Sequence, residues 1–214
     1  KVLTANAYLG ALPVKGALDA GAQIVVTGRC VDSAVTVGAL MHEFKWKATD
    51  YDRLAQASIA GHVIECGCQG TGGLYTDWED VPDWENMGFP ILECRADGSF
   101  VVTKPDGTGG LVTPATVGEQ LLYEVGDPTR YLLPDVICDF SQVSLEQVDL
   151  HRVRVSGGRG TAPTDTYKVS ATYVDGYKAV AQLTIIGWEA AQEAQRVGQA
   201  ILSRVRAIFK TRGF

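Results

Sequence analysis

Apolar residues fall along this chain in short bursts, and their spacing predicts helices alternating with strands. Pro13 to Ala22 reads as a short helix ended by Gly21, and Ile24 to Thr27 as a buried strand. Gly28-Arg29-Cys30-Val31 then turns the chain. Asp32 is placed to cap a helix running from Ser33 to about Glu43. Thr49 and Asp52 form a Thr-x-x-Asp box before a further helix from Asp50 to about Glu65. Helix–strand–helix order is the mark of a doubly wound or related α/β layer. Ligands there gather beyond the carboxyl ends of the strands, where Arg29 and Asp32 would lie.

Gly67 to Pro90 has no strong period. It carries Trp78, Trp84 and the acids Asp77, Glu79, Asp80, Asp83 and Glu85, so it reads either as a functional or interface loop or as a cover anchored by its tryptophans. Ile91–Cys94 and Ser99–Thr103 follow as strands around the turn Arg95–Gly98. Thr113-Pro114 then opens a helix to about Val125. Val136–Cys138, Gln142–Val148 and Val153–Val155 are strand candidates. Tyr167–Val174 and Tyr177–Ile186 flank Asp175-Gly176, which favours an antiparallel hairpin. From Ala190 to Phe209, Ala194, Val197, Ile201, Val205 and Ile208 share one helical face, predicted to pack on that hairpin or, as the alternative, to form an oligomer interface. The expected fold is therefore α/β, a layered mixed sheet with flanking helices whose second half is α+β, with a hairpin and a long C-terminal helix. Residues 1–130 read as the α/β portion of a larger domain and residues 131–214 as an α+β portion of the same or a second domain. No low-complexity linker separates them.

With 214 residues, 46% of them hydrophobic, the chain can bury a substantial core. Its 19 basic and 25 acidic residues give a net charge of −6, which argues against a nucleic-acid-binding module. No apolar run approaches the roughly 18 residues of a membrane span, and the first 21 residues do not read as a signal peptide. A cytoplasmic protein is expected. Cys30, Cys66, Cys68, Cys94 and Cys138 are odd in number and scattered, so they read as small buried side chains rather than as a disulfide framework or zinc ribbon. The start at Lys1, with structured sequence from the first residues, suggests that a region of the same protein precedes it.

The string Gly-Thr-Gly-Gly-Leu-x-Thr occurs twice, at Gly70–Thr76 and Gly107–Thr113. The second copy follows Lys104-Pro105-Asp106 and runs into a helix start. Its exposed N–H groups, with Lys104, Thr108 and Thr113, would cradle a carboxylate or phosphate across Gly107, Gly109 and Gly110. It is not a Walker sequence. Tight turns around packed elements are the plain structural alternative. Elsewhere, His62 and Glu65 lie three apart near a helix end and could supply a base and a polarising carboxylate, or metal ligands. Cys66 beside them is a candidate ligand or nucleophile. Arg159 in Gly157-Gly158-Arg159-Gly160 and Lys168 are anion-binding candidates, and Asp165 could orient a proton donor or bind a metal. The role of Lys168 depends on which strand face it occupies.

Val26-Thr27-Gly28-Arg29-Cys30-Val31-Asp32-Ser33-Ala34, Gly61-His62-Val63-Ile64-Glu65-Cys66-Gly67, Val102 to Pro114 and Ala162-Pro163-Thr164-Asp165-Thr166-Tyr167-Lys168-Val169-Ser170 together resemble the acyclic terpene utilisation protein family. The resemblance covers most of the chain. It implies an α/β region ahead of Lys1 and an association with bacterial breakdown of citronellol and geraniol through branched acyl-CoA intermediates. It carries no assigned reaction. The expected function is thus an enzyme on a branched carboxylate or acyl-CoA, of hydratase, isomerase or lyase type. Asp32, His62, Glu65 and Asp165 would move protons, and Arg29, Lys104, the Gly107–Thr113 loop, Arg159 and Lys168 would hold the anion. A CoA ester would be substrate, with a divalent metal left open. The alternative is a non-catalytic acyl-CoA-binding or partner subunit of a multienzyme system. Expected partners are the small-molecule acid or acyl-CoA, the preceding region and a second copy in a homo-oligomer, with neither nucleic acid nor membrane.

Overall fold

In the computed structural model, which describes residues 1–213, strand β1 (Val2–Ala7) is followed by helices α1 (Leu12–Asp19), α2 (Ala34–Glu43) and α3 (Tyr51–Glu65). Three short 3-10 turns cross the irregular segment to β2 (Ile91–Cys94) and β3 (Phe100–Thr103), and α4 spans Pro114–Leu122. Then come β4 (Tyr131–Leu132), β5 (Ile137–Asp139), β6 (Ser144–Asp149), β7 (Arg152–Ser156), β8 (Arg159–Thr161), β9 (Val169–Tyr173) and α5 (Ala190–Arg212). The strands form three antiparallel sheets: β1-β9, β2-β3-β7-β6 and β4-β5-β8. The fold is mixed α/β. The chain divides into one compact unit, Lys1–Tyr173, and a second from Val174 on.

Helix α3 is the centre of the first unit. Every residue from Leu54 to Val63 is buried, as befits a helix apolar on nearly all sides. Small side chains bring the neighbours close: a Cβ on Gly61 would lie 2.7 Å from Ser33 Cα at the start of α2. On another side Phe100, Val102, Val153 and Val155, paired across β3 and β7, present one buried face to the same core. Gln56 ties α3 to the strand ends, donating to the Val155 carbonyl (3.2 Å) and accepting from the Gly158 N–H (2.8 Å). Asp52, at the opening of α3, accepts from the Gly160 N–H and from Arg159, both at 3.0 Å.

The predicted helices form close to their expected bounds, but their caps differ. Ser33, not Asp32, is the N-cap of α2 and makes no side-chain cap bond. The Thr-x-x-Asp box is absent at α3, where Asp50 is the N-cap and its carboxylate takes the Lys47 N–H instead. Thr113 does cap α4, in a reciprocal pair with Thr116. That helix ends at Leu122 rather than Val125, because Tyr123 is extended and Glu124 holds φ 58°.

Two strand expectations fail. Ile24–Thr27 forms no strand, and Ile24 and Val26 are 85% and 92% exposed. The Cys30 turn beyond it is held instead by Leu9, whose N–H donates to the Arg29 carbonyl and whose carbonyl accepts from Val31. Tyr177–Ile186 is likewise not a strand. Strand β9 pairs with β1, its partners 162 to 171 positions away in sequence, leaving the Asp175-Gly176 turn without a partner ladder. The antiparallel hairpin of the second half is β6–β7, turning through Asp149–His151. Helix α5 therefore has no hairpin to cover, and none of its residues is buried.

The two glycine strings meet each other. The Leu111 N–H donates to the Thr71 carbonyl (2.8 Å), Gly110 N–H to Pro82, and Gly109 N–H to Asn86, both at 2.9 Å. The irregular segment is thus stapled by these backbone bonds, while Trp78 and Trp84 remain exposed. A Cβ at Gly109 would lie 1.9 Å from the Asp83 carbonyl oxygen, whereas Gly107 has open space and a φ of +72°. Gly107→Ala should therefore cost about 1–2 kcal/mol, from backbone strain alone. Gly109→Ala should cost more than that and loosen the 81–90 segment, as read by urea unfolding and amide exchange. Equal losses in the two variants would show that the close approach is unimportant.

Candidate functional site

The C-terminal turn of α3 brings three of the candidate residues together. His62 is 6% exposed, and its carbonyl accepts from Gln120 Nε2 at 3.0 Å. Gln120 in turn accepts from Gln69 at 3.2 Å, so α4 and the turn after α3 are locked to the histidine backbone. The imidazole ring lies 6.2 Å, centroid to centroid, from Tyr131 on β4. Its Nε2 is buried without a hydrogen-bond partner. Leaving such a nitrogen unsatisfied costs roughly 1–3 kcal/mol, and buried groups of this kind call for an explanation beyond packing.

The surrounding charges are near enough to act on the ring. Burial pushes the His62 imidazole below its usual value, against the opposing pull of the Glu65 carboxylate, the Tyr123 and Gln120 backbone and Asp32. The ring is therefore neutral at neutral pH. Burial, followed by the charge of Asp32, raises the Tyr131 phenol. Burial and the neighbouring Glu65, to which the thiol donates, push Cys66 up to about 11. A protonated thiol is a poor nucleophile and a poor metal ligand, so Cys66 serves here as a hydrogen-bond donor. Cys138, buried on β5, is pushed up to about 12 by burial and is equally inert.

Of the residues singled out from the sequence, His62, Glu65 and Asp32 thus share one neighbourhood, with Asp32 and Glu65 exposed at its edge. Tyr131 and Gln120 belong to it and were missed. A lone tyrosine at the start of a two-residue strand carries no motif, and Gln120 reads as one polar position of an amphipathic helix. Arg29 and Lys168 come together elsewhere, both over the ring of Tyr8, at 5.2 Å and 5.5 Å from its centroid. Asp165 is exposed in the same connection as Lys168.

The other candidates are engaged within the protein. Lys104 Nζ donates to the Thr108 carbonyl and closes its own loop. Thr108 Oγ1 donates to Pro105, and the Gly107 carbonyl accepts from Asn86. The N–H groups of Gly109, Gly110, Leu111, Val112 and Thr113 are all taken by protein acceptors. A cradle needs free donors, and this stretch of the loop has given its own to the neighbouring backbone and side chains. Arg159 pairs with Asp52 on the far end of α3. Among the described residues, no group of three or more His, Cys, Asp or Glu is arranged to hold a metal ion.

The neutral His62 has a stability signature. A depressed folded-state pKa means that the unfolded chain takes up the proton first. Stability contributed by His62 is therefore present above about pH 6.5 and is lost as the pH falls towards the folded value. His151, lowered by burial and by Lys104, acts in the same sense. Asp135, raised by burial, acts in the opposite sense at lower pH. Urea unfolding between pH 7.5 and 5 should show declining stability, with a shallower decline in His62→Met. An unchanged slope in that variant would mean that the histidine is not buried neutral.

The family described as acyclic terpene utilisation family protein AtuA matches residues 1–212. No curated protein and no solved structure is significantly similar to the chain. No helix among the described residues is long and apolar enough to cross a membrane. A family match running through both compact units establishes that the chain belongs to the acyclic terpene utilisation family, and hence that its role lies in acyclic terpene utilisation.

Proposed function

We propose that the chain carries the acid–base centre of a cytoplasmic enzyme acting on a branched carboxylate or acyl-CoA intermediate, with His62 as the base. The observation that carries this reading is the buried, neutral and unpartnered Nε2 of His62 beside Tyr131. A neutral imidazole held near physiological pH accepts a proton with little penalty. Asp32 and Glu65 favour the imidazolium once it forms, and the protonated Tyr131 phenol is the adjacent donor. Proton transfer at the carbon next to a carboxyl or thioester group is common to hydratases, isomerases and carbon–carbon lyases. A hydratase or isomerase removes or delivers that proton, and a carbon–carbon lyase takes a hydroxyl proton as the bond breaks and protonates the enolate that leaves.

Because Nε2 is enclosed, substrate reaches it only when its cover opens.

A functional histidine and a structural one differ in what their loss does. His62→Met removes an unsatisfied polar atom from the core while conserving volume, and is expected to leave melting temperature at pH 7.5 unchanged or raised. Turnover of branched enoyl-CoA or 3-hydroxyacyl-CoA substrates should fall by about 10²–10⁴-fold. Tyr131→Phe should lower kcat with little change in KM. Full turnover by His62→Met on a substrate that the parent chain converts would remove His62 from the chemistry.

A further inference from the structure

A groove of about 340 Å³ separates the Leu132–Pro134 segment from the Thr164–Lys168 connection, near the lower end of the roughly 300–1,000 Å³ typical of small-molecule sites. Its walls are apolar, built from Val31, Leu132, Leu133 and Pro134. Tyr8 and Lys168 complete it, and no carboxylate lines it. The Lys168 ammonium lies 5.5 Å from the Tyr8 ring centroid, and the Arg29 guanidinium lies 5.2 Å from the same ring.

Among the described residues, neither cation has an ion pair. Two like charges drawn to one aromatic ring repel each other, and the ring quadrupole offsets only part of that. An anion would relieve it. The Thr166 hydroxyl at the same rim, 3.3 Å from that of Thr164, adds a donor, while the Thr164 hydroxyl donates to the Thr166 carbonyl.

We infer that this groove binds an apolar organic monocarboxylate. Lys168 takes the carboxylate, Arg29 adds its charge across Tyr8, and the hydrocarbon lies against Leu132, Leu133 and Pro134. A compact, strongly hydrated anion such as phosphate cannot use the apolar walls. A neutral lipid leaves the cations without a counter-charge. The site is independent of the His62 chemistry, since binding requires no proton transfer.

Calorimetric titration of the whole chain with octanoate, octanol and inorganic phosphate tests this. Octanoate should saturate at one equivalent, with octanol at least about tenfold weaker and phosphate giving no saturable heat. Lys168→Met should weaken octanoate about tenfold and leave octanol unchanged. Leu132→Asp, at a half-exposed position on β4, should weaken both ligands while melting temperature confirms the fold. His62→Met should retain octanoate binding, so a failed groove and a failed acid–base centre are told apart. Octanoate that does not saturate, that binds Lys168→Met as well as the parent, or that is matched by phosphate would overturn the assignment.

Discussion

The packed core of the first unit is arranged around the buried middle of α3. Ten consecutive residues from Leu54 to Val63 are out of solvent, so each polar group among them must find a partner inside the protein. Gln56 bonds to the Val155 carbonyl and the Gly158 N–H, and Ser58 to the Leu54 carbonyl. The His62 carbonyl is met by Gln120. These bonds set where β7, β8 and α4 sit against the helix. The imidazole Nε2 is the buried side-chain atom left over, and the helix that demands satisfaction of its polar groups is what makes that exception informative.

The same packing explains why the glycine strings hold structure together. Gly70 lies against the Val63 carbonyl, and Thr71 presents its own carbonyl to Leu111. The long segment after α3 therefore closes over the helix end through backbone contacts at which side chains would collide. Glycines near helix starts and glycines at close backbone crossings look alike along a chain. What separates them is whether the N–H groups point into open space or at another carbonyl.

The two proposed sites are joined by short stretches of chain. Tyr131 faces His62 while Leu132, the next residue, lines the groove. Asp32 acts on His62 while Val31, the residue before it, also lines the groove. The Arg29–Asp32 turn and β4 thus border both proposed sites.

Helix positions were legible in the sequence because helix formation is local: a 3.6-residue period and Thr113-Pro114 suffice to place α4, and α2 and α3 follow their apolar bursts. His62 and Glu65 could be paired from their spacing for the same reason. Strand pairing was not legible in this way. The Asp175-Gly176 turn predicted a local hairpin, yet β9 pairs with β1 from the other end of the unit, and Ile24–Thr27 lies without a ladder. Tyr131 beside His62, Gln120 on its carbonyl, and Tyr8 beneath Arg29 and Lys168 are contacts between residues 21 to 160 positions apart. The amino-acid sequence by itself determined the helices, the charge balance and the residue types available for chemistry. Only the tertiary structure decided which of them meet, because a strand's hydrogen bonds and a site's electrostatics belong to neighbours that chain order does not specify.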